Sequence, residues 1–401
     1  MPIESLIMSS SFPPEIEAHI AEILPSLIET RRDIHRHPEI GFKEVRTAEM
    51  VARRLRELGL EVTEGIGITG VVGTLRAGNS NRAIGFRADM DALAMNEATG
   101  LPHASQIEGM MHGCGHDGHT TMLLGAAEVL AKNPCFSGTI HFIFQPAEEG
   151  LGGAPAMMRD GLFERFPVDA VYGLHNKPNL PANTFNVTIG AMLAAADMFT
   201  VVFGGQGGHG GSGAYMSVDP TMAAAQFVTN LQAIIGRNIS PFDQGVISVG
   251  HINGGSFDAP NVIPSRVVIR GTVRSFSPKT RDLLERRLNE VARAAADAFS
   301  TTLEVTYDRL FPSLHNPEES TSRIVEALRK RFGHDRVDDK MVPVTGAEDF
   351  AYMLEQSTGC FFFIGAGDGP ALHSTQYDFN DNLIADGIRY WVTIAQEELP
   401  V

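Results

Sequence analysis

The chain has 401 residues, enough for about two domains, and with 43% hydrophobic and 20% charged residues it has the composition of an ordinary soluble globular protein. Its 32 basic residues against 48 acidic ones give a formal net charge of −16, which argues against nucleic acid or an anionic membrane as partner, because both need a basic surface. Three cysteines, Cys114, Cys135 and Cys360, do not make a disulfide framework at this length. The first twenty residues lack the basic and continuous apolar regions of a secretory signal. No apolar run approaches the roughly 20 residues of a membrane helix, so a cytoplasmic location is expected.

In chain order, residues 15–34 read as an amphipathic helix that ends near the loop His35-Arg36-His37-Pro38-Glu39, and a second helix runs from about 47 to 58 and stops at Gly59. Strand and turn segments follow, and then a short apolar strand at 83–88 ends in Asp89-Met90-Asp91. The same arrangement repeats at 139–144, which ends in a turn carrying Glu148-Glu149, and at 169–174, which ends in His175-Asn176. Residues 360–365 lead to a loop that holds His373. Short, nearly all-apolar strands alternating with helices imply a buried, largely parallel sheet. In such sheets the site lies beyond the carboxyl ends of the strands, which is where these acids and imidazoles fall. The predicted class is therefore α/β with a mixed, largely parallel sheet. Between about 190 and 305 a strand–helix–strand–strand–helix–strand order predicts an inserted α+β sandwich, which leaves 1–189 and 306–401 as the main domain.

The densest chemistry is His112-Gly113-Cys114-Gly115-His116-Asp117-Gly118-His119-Thr120, at the amino end of an alanine-rich apolar run at 122–131 that reads as a helix. A thiolate two residues from an imidazole can close on one metal ion, and Cys and His are preferred ligands of Zn²⁺. The glycines allow the tight turn this needs. The plainer reading is a polar helix cap built on Asp117 and Thr120. His116 and His119, three residues apart, also offer a ligand pair in competition with Cys114. In Glu148-Glu149 one carboxylate could hold metal while the other takes a proton from water. The glycine-rich segment at 204–213 lacks the Lys-Ser/Thr of a phosphate loop, and flanking glycines would let its His209 approach a substrate. No Gly-x-Ser-x-Gly occurs, so a serine hydrolase has no nucleophile. A thiol protease built on Cys114 would leave Glu148, Glu149, His175 and His373 unexplained.

Nine motifs carry a family likeness: RADMDAL at 87–93, MHGCGHDGHTTMLLGAA at 111–127, FQPAEEG at 144–150, GLHN at 173–176, GGHG at 207–210, NVIP at 261–264, RGTVRSF at 270–276, GAEDFAYM at 346–353 and LHS at 372–374. In this order, over nearly the whole chain, they resemble the M20 family of metallo-amidohydrolases, in its branch of N-acyl-amino-acid, hippurate and auxin-conjugate hydrolases. The resemblance implies a metallopeptidase-like catalytic domain with an inserted lid and dimerisation domain. It also implies two divalent ions (Zn²⁺, Mn²⁺ or Co²⁺) held by Cys114, His116, Glu149, His175 and His373, with Glu148 as general base. Asp89 matches a carboxylate that orients a metal-binding histidine in members that have His where Arg87 stands here. His209 matches a residue that helps hold the scissile carbonyl, in many members from the partner subunit, and Asn261 and Arg274 match positions that hold the substrate carboxylate. The implied substrate is a small N-acyl amino acid, and the implied assembly a homodimer or homotetramer. An aminopeptidase or carboxypeptidase on the same scaffold, and a non-catalytic protein that keeps its metal for stability, are the alternatives. The chain departs from the branch at GGHGGSGAYMSVDP, where Ala214-Tyr215 replaces an expected Pro-His pair.

Overall fold

The computed structural model describes residues 12–401; the signal-peptide reading falls largely on residues 1–11, outside the described residues. No helix among the described residues is long and apolar enough to cross a membrane. The chain divides into two compact units. The first runs up to Gly190 and resumes over His315–Val342 and Tyr352–Val401; the second comprises Ala191–Leu314 and Pro343–Ala351. The strand Thr302–Phe311 pairs along its length with Ala195–Gly204, which carries the second unit past the boundary at 305 read from sequence.

The first unit is built on an eight-stranded mixed sheet. Strands β1 (Glu61–Ile66) and β2 (Gly70–Ala77) form an antiparallel edge. Strands β3 (Ala83–Asp89), β4 (Gly138–Gln145) and β5 (Ala170–Lys177) and the strand Thr358–Gly365 lie mutually parallel, in the spatial order β4-β3-β5-Thr358–Gly365. Phe185–Asn186 and Val337–Asp338 close the other edge. The parallel strands are apolar almost throughout because they are buried on both faces: Ile84, Phe86, Phe142, Phe144, Val171, Tyr172, Phe361 and Phe362 expose essentially nothing.

Helices α1 (Pro14–Arg36), α2 (Val45–Glu57) and α3 (His116–Lys132) belong to this unit, as do Glu318–Phe332 and Leu383–Glu398. Helix α3 is buried on nearly every side, so its sequence shows little amphipathic pattern. It crosses Leu383–Glu398 closely. A Cβ on Gly125 would stand 2.6 Å from Ile388, and one on Gly387 2.1 Å from the Met122 sulfur.

The second unit is an antiparallel four-stranded sheet in the order Gly245–Gly254, Arg266–Ser275, Ala195–Gly204, Thr302–Phe311. Helices Pro220–Asn238 and Pro278–Ala298 cover one face and bury Phe199, Phe203, Phe227, Leu231, Leu284 and Leu288 in a separate core. This is the α+β arrangement expected from the alternation of its elements. Ala214–Met216, where the chain departs from the family pattern, forms a short 3₁₀ turn with Tyr215 and Met216 exposed.

Candidate active site

The carboxyl ends of three neighbouring parallel strands each deliver polar side chains to one region of the first unit. Strand β3 ends in Asp89, with Asp91 two residues on; β4 ends in Gln145 before the turn that carries Glu148 and Glu149; and β5 runs on through His175 and Asn176. The fourth contribution comes from the start of α3. Its N-cap is Gly115, in the left-handed region at φ +91°, and a Cβ there would lie 2.3 Å from Asn176 Oδ1. Only glycine makes that turn, and the turn sets Cys114 and His116 on either side of it. The helix therefore begins inside the polar cluster. Asp117 and Thr120 are not caps: Asp117 pairs with His35, and the Thr120 hydroxyl donates to the Asp89 carbonyl oxygen.

Cys114, His116, Glu149, His175 and His373 come together here with Glu148. Cys114 Sγ lies 3.4 Å from His175 Nε2, and His373 Nε2 lies 3.3 Å from Glu149 Oε1. His116 Nε2 stands 3.7 Å from Asp89 Oδ2 and 4.0 Å from Glu149 Oε1. Three overlapping groups each keep one donor atom per residue within 4.8 Å of the others: Asp89, His116, His119 and His175; Cys114, Glu149 and His373; and His116, Glu148 and Glu149.

These donors fit divalent cations. His116 Nε2 is buried without a hydrogen-bond partner, and the buried Glu149 Oε1 faces the His373 ring nitrogen. Ligands about 2.1 Å from one ion stand about 3 to 4 Å from each other, which is the spacing seen from His116 to Asp89 and from His116 to Glu149. The charge balance agrees. Burial opposes a protonated His116, yet Asp89 and Cys114 outweigh it and hold the His116 pKa well above the usual imidazole value. Hydrogen bonds to Cys114 and Glu149 raise His373 to about 10. Burial would raise Asp89, but His116, His119 and Arg87 hold it well below the usual carboxylate range. Burial raises the Cys114 thiol, and the nearby Glu149 charge adds to this. Such a site demands positive charge, and a cation supplies it in place of the protons.

Asp89 receives its hydrogen bonds from Arg87 Nη1 (2.8 Å) and from His119 Nδ1 (2.6 Å). The histidine it orients is thus His119, while Arg87 is held on its other side by Gln145 Oε1 at 2.8 Å. His119 Nε2 lies 2.7 Å from Asn176 Oδ1 and 3.0 Å from the Asn176 backbone nitrogen, so both ring nitrogens are engaged within the protein. Sequence reasoning missed Asp91 and Asn176. The available signal was their place in the motifs at 87–93 and 173–176, at or just beyond the carboxyl end of a strand. His112, the first histidine of the cluster, is buried with neither ring nitrogen hydrogen-bonded. Burial drives its pKa to about 3, and it joins none of the three donor groups.

His209, Asn261 and Arg274 belong to the second unit. His209 is exposed on a short strand, Gly208–His209, paired with Val262–Ile263. Its Nδ1 accepts the backbone N–H groups of Gly211 and Ser212 at 3.0 and 3.1 Å, which places the proton of the neutral ring on Nε2. The Gly210 N–H donates to the Asn261 carbonyl oxygen at 2.7 Å and holds the two segments together. Arg274 is half-buried; its Nε donates to the Thr345 carbonyl oxygen at 3.2 Å, and it lines a cavity of about 560 Å³ with Ile239, Ser240 and Thr345.

Residues 85–397 match the model of peptidase family M20/M25/M40. The chain belongs to this family. It is 41% identical over 369 residues to a hippurate hydrolase of Campylobacter jejuni, which covers 92% of this chain and 95% of that protein. It is 35% identical over 371 residues to an N-acetylcysteine deacetylase of Bacillus subtilis, covering 92% and 96%. Among solved structures, a dinuclear metal-binding M20 peptidase of Bacillus subtilis superposes with a TM-score of 0.82 at 31% identity, covering 94% of this chain and 99% of that one.

Proposed function

We propose that this protein is a metal-dependent amidohydrolase that hydrolyses the amide bond of N-acyl or N-aroyl amino acids to a carboxylic acid and a free amino acid. One observation carries the reading: the donors Cys114, His116, Glu149, His175 and His373 converge in the first unit, buried except for the partly buried Glu149 and the exposed His373, and Glu148 is adjacent to Glu149 on the same turn. The hippurate hydrolase and deacetylase relatives supply the substrate class. Those five donors would hold two divalent ions, Zn²⁺, Mn²⁺ or Co²⁺, which supply a Lewis acid and a water of lowered pKa.

Glu148 then does the proton work. Its carboxylate takes a proton from the attacking water as the oxygen bonds to the amide carbon. It returns that proton to the nitrogen as the C–N bond breaks, so that the amine leaves neutral. His209, with its proton on Nε2, is assigned donation to the carbonyl oxygen as negative charge develops there, and loss of one such donor costs on the order of 3 kcal/mol. Asn261 and Arg274 are assigned to the substrate carboxylate; the planar guanidinium suits bidentate pairing. A cytoplasmic homodimer or homotetramer belongs to the same reading.

A substrate panel tests it. Release of free amino acid from hippurate and N-acetyl amino acids should exceed release from unblocked dipeptides. Faster cleavage of free dipeptides would replace the reading with a peptidase on the same scaffold.

A further inference from the structure

The Glu148–Glu149 turn cannot hold itself in place. Ala147 sits at φ +52°, an unfavourable conformation for a residue with a side chain, so the surroundings must hold it there. Two buried carboxylates do so. Glu44, just before α2, accepts the Ala147 N–H at 2.8 Å. Asp91, 1% exposed, accepts the next two: the Glu148 N–H on Oδ1 at 3.0 Å and the Glu149 N–H on Oδ2 at 2.9 Å. Asp91 Oδ1 also lies 3.3 Å from His116 Nδ1. One carboxyl group thus touches the backbone of the proton-transferring residue, the backbone of a metal-donor residue and the ring of a second donor.

We infer that Asp91 is the positioning residue that sets Glu148, Glu149 and His116 in register, so that a single side chain couples metal affinity to proton transfer. It accepts the His116 Nδ1–H and thereby fixes the tautomer that leaves Nε2 as the metal-facing lone pair. Partners of this kind on a ligating imidazole are worth about 10- to 100-fold in metal affinity. The two main-chain bonds fix where the turn places Glu148 relative to Glu149. Asparagine in this position keeps the volume but offers only one acceptor oxygen and turns an N–H₂ toward a backbone N–H. The inference rests on the proposed roles of Glu148 and of the donor set.

The experiment compares wild type, Asp91→Asn and a control, Glu39→Gln. Glu39 likewise accepts two backbone N–H groups, those of Arg46 and Thr47 at 3.0 and 2.8 Å, as the chain enters α2. Metal-stripped proteins are titrated with Mn²⁺ and Zn²⁺ by calorimetry, and turnover of hippurate is then measured at saturating metal. Asp91→Asn should bind at least one ion about 10-fold or more weakly and, once saturated, show a lowered kcat with KM within about twofold of wild type. Glu39→Gln should lose thermal stability while its metal affinity and kcat stay at wild-type values. Wild-type metal affinity in Asp91→Asn would overturn the inference, as would a kcat fully restored by excess metal. If wild type turns over no amide, the proposed function fails, while the metal titration still decides the positioning role.

Discussion

His116 Nε2 and Glu149 Oε1 face each other 4.0 Å apart in the interior, and His116 Nε2 has no hydrogen-bond partner. A polar atom buried without a partner costs about 1–3 kcal/mol, and a cation shared with Glu149 removes that cost. Stripping metal with a chelator should therefore lower the thermal midpoint by several degrees, and adding back Zn²⁺, Mn²⁺ or Co²⁺ should restore it in a concentration-dependent way. Identical melting of stripped and reloaded protein would contradict the assignment of these atoms to a metal.

Glu148 and Glu149 are neighbours with different assignments, so their amides should behave differently. Glu148→Gln should keep its bound metal and lose about 10²- to 10⁴-fold in kcat. Glu149→Gln should lose metal as well as rate. Metal analysis on the purified variants, set beside their rates, separates the two; full activity in Glu148→Gln would remove it from the mechanism.

Gly115 permits the turn between Cys114 and His116. Gly115→Ala combines a left-handed backbone with a Cβ placed 2.3 Å from Asn176 Oδ1. It should destabilise the protein by more than about 1 kcal/mol and weaken metal binding by misplacing both donors. Chemical denaturation with a parallel metal titration checks both effects.

His119 has both ring nitrogens occupied, one by Asp89 and the other by Asn176. Its loss should therefore read as a stability defect: His119→Asn should cost about 1–3 kcal/mol without changing metal stoichiometry. Loss of one equivalent of metal in that variant would make His119 a ligand instead.

Behind α3, His35 Nδ1 lies 2.8 Å from Asp117 Oδ2 and its Nε2 3.3 Å from Glu97 Oε2. Burial would lower the His35 pKa, but the two carboxylates outweigh it and raise it from 6.5 to about 9. Glu97 moves the other way, to about 2, because its hydrogen bonds to His35 and Thr99 outweigh its burial. The His35 contribution is thus complete below pH 6.5 and is lost as pH rises toward 9; that of Glu97 is complete above pH 4.5 and is lost as pH falls toward 2. Urea midpoints should decline between pH 6.5 and 9, and His35→Gln should flatten that decline. An unchanged slope in the variant would assign the decline to other groups.

The parallel strands were legible because burial on both faces writes apolar runs into the sequence, and the polar residues at their ends marked where the site would form. The inserted unit was legible from the order of its elements, yet its end was not, because the pairing of Thr302–Phe311 with Ala195–Gly204 is a long-range fact. The start of α3 was misjudged for a local reason: its first turn, His116 to His119, is polar and buried, which an apolar pattern does not register. Asp91 stood in a motif, but its role could not be read there because it accepts main-chain N–H groups 57 and 58 residues away. The candidate donors showed in the motifs; the contacts that hold them in place showed only in three dimensions.

The central claim is metal-dependent hydrolysis of an N-acyl amino acid at the Glu148–Glu149 site. The most direct test measures glycine released from hippurate by chelator-stripped protein and by the same protein reloaded with Mn²⁺, Zn²⁺ or Co²⁺. The stripped protein should release no glycine, and reloading should restore turnover. Equal turnover with and without metal, or no release from a protein that has bound its metal and does cleave dipeptides, would contradict it.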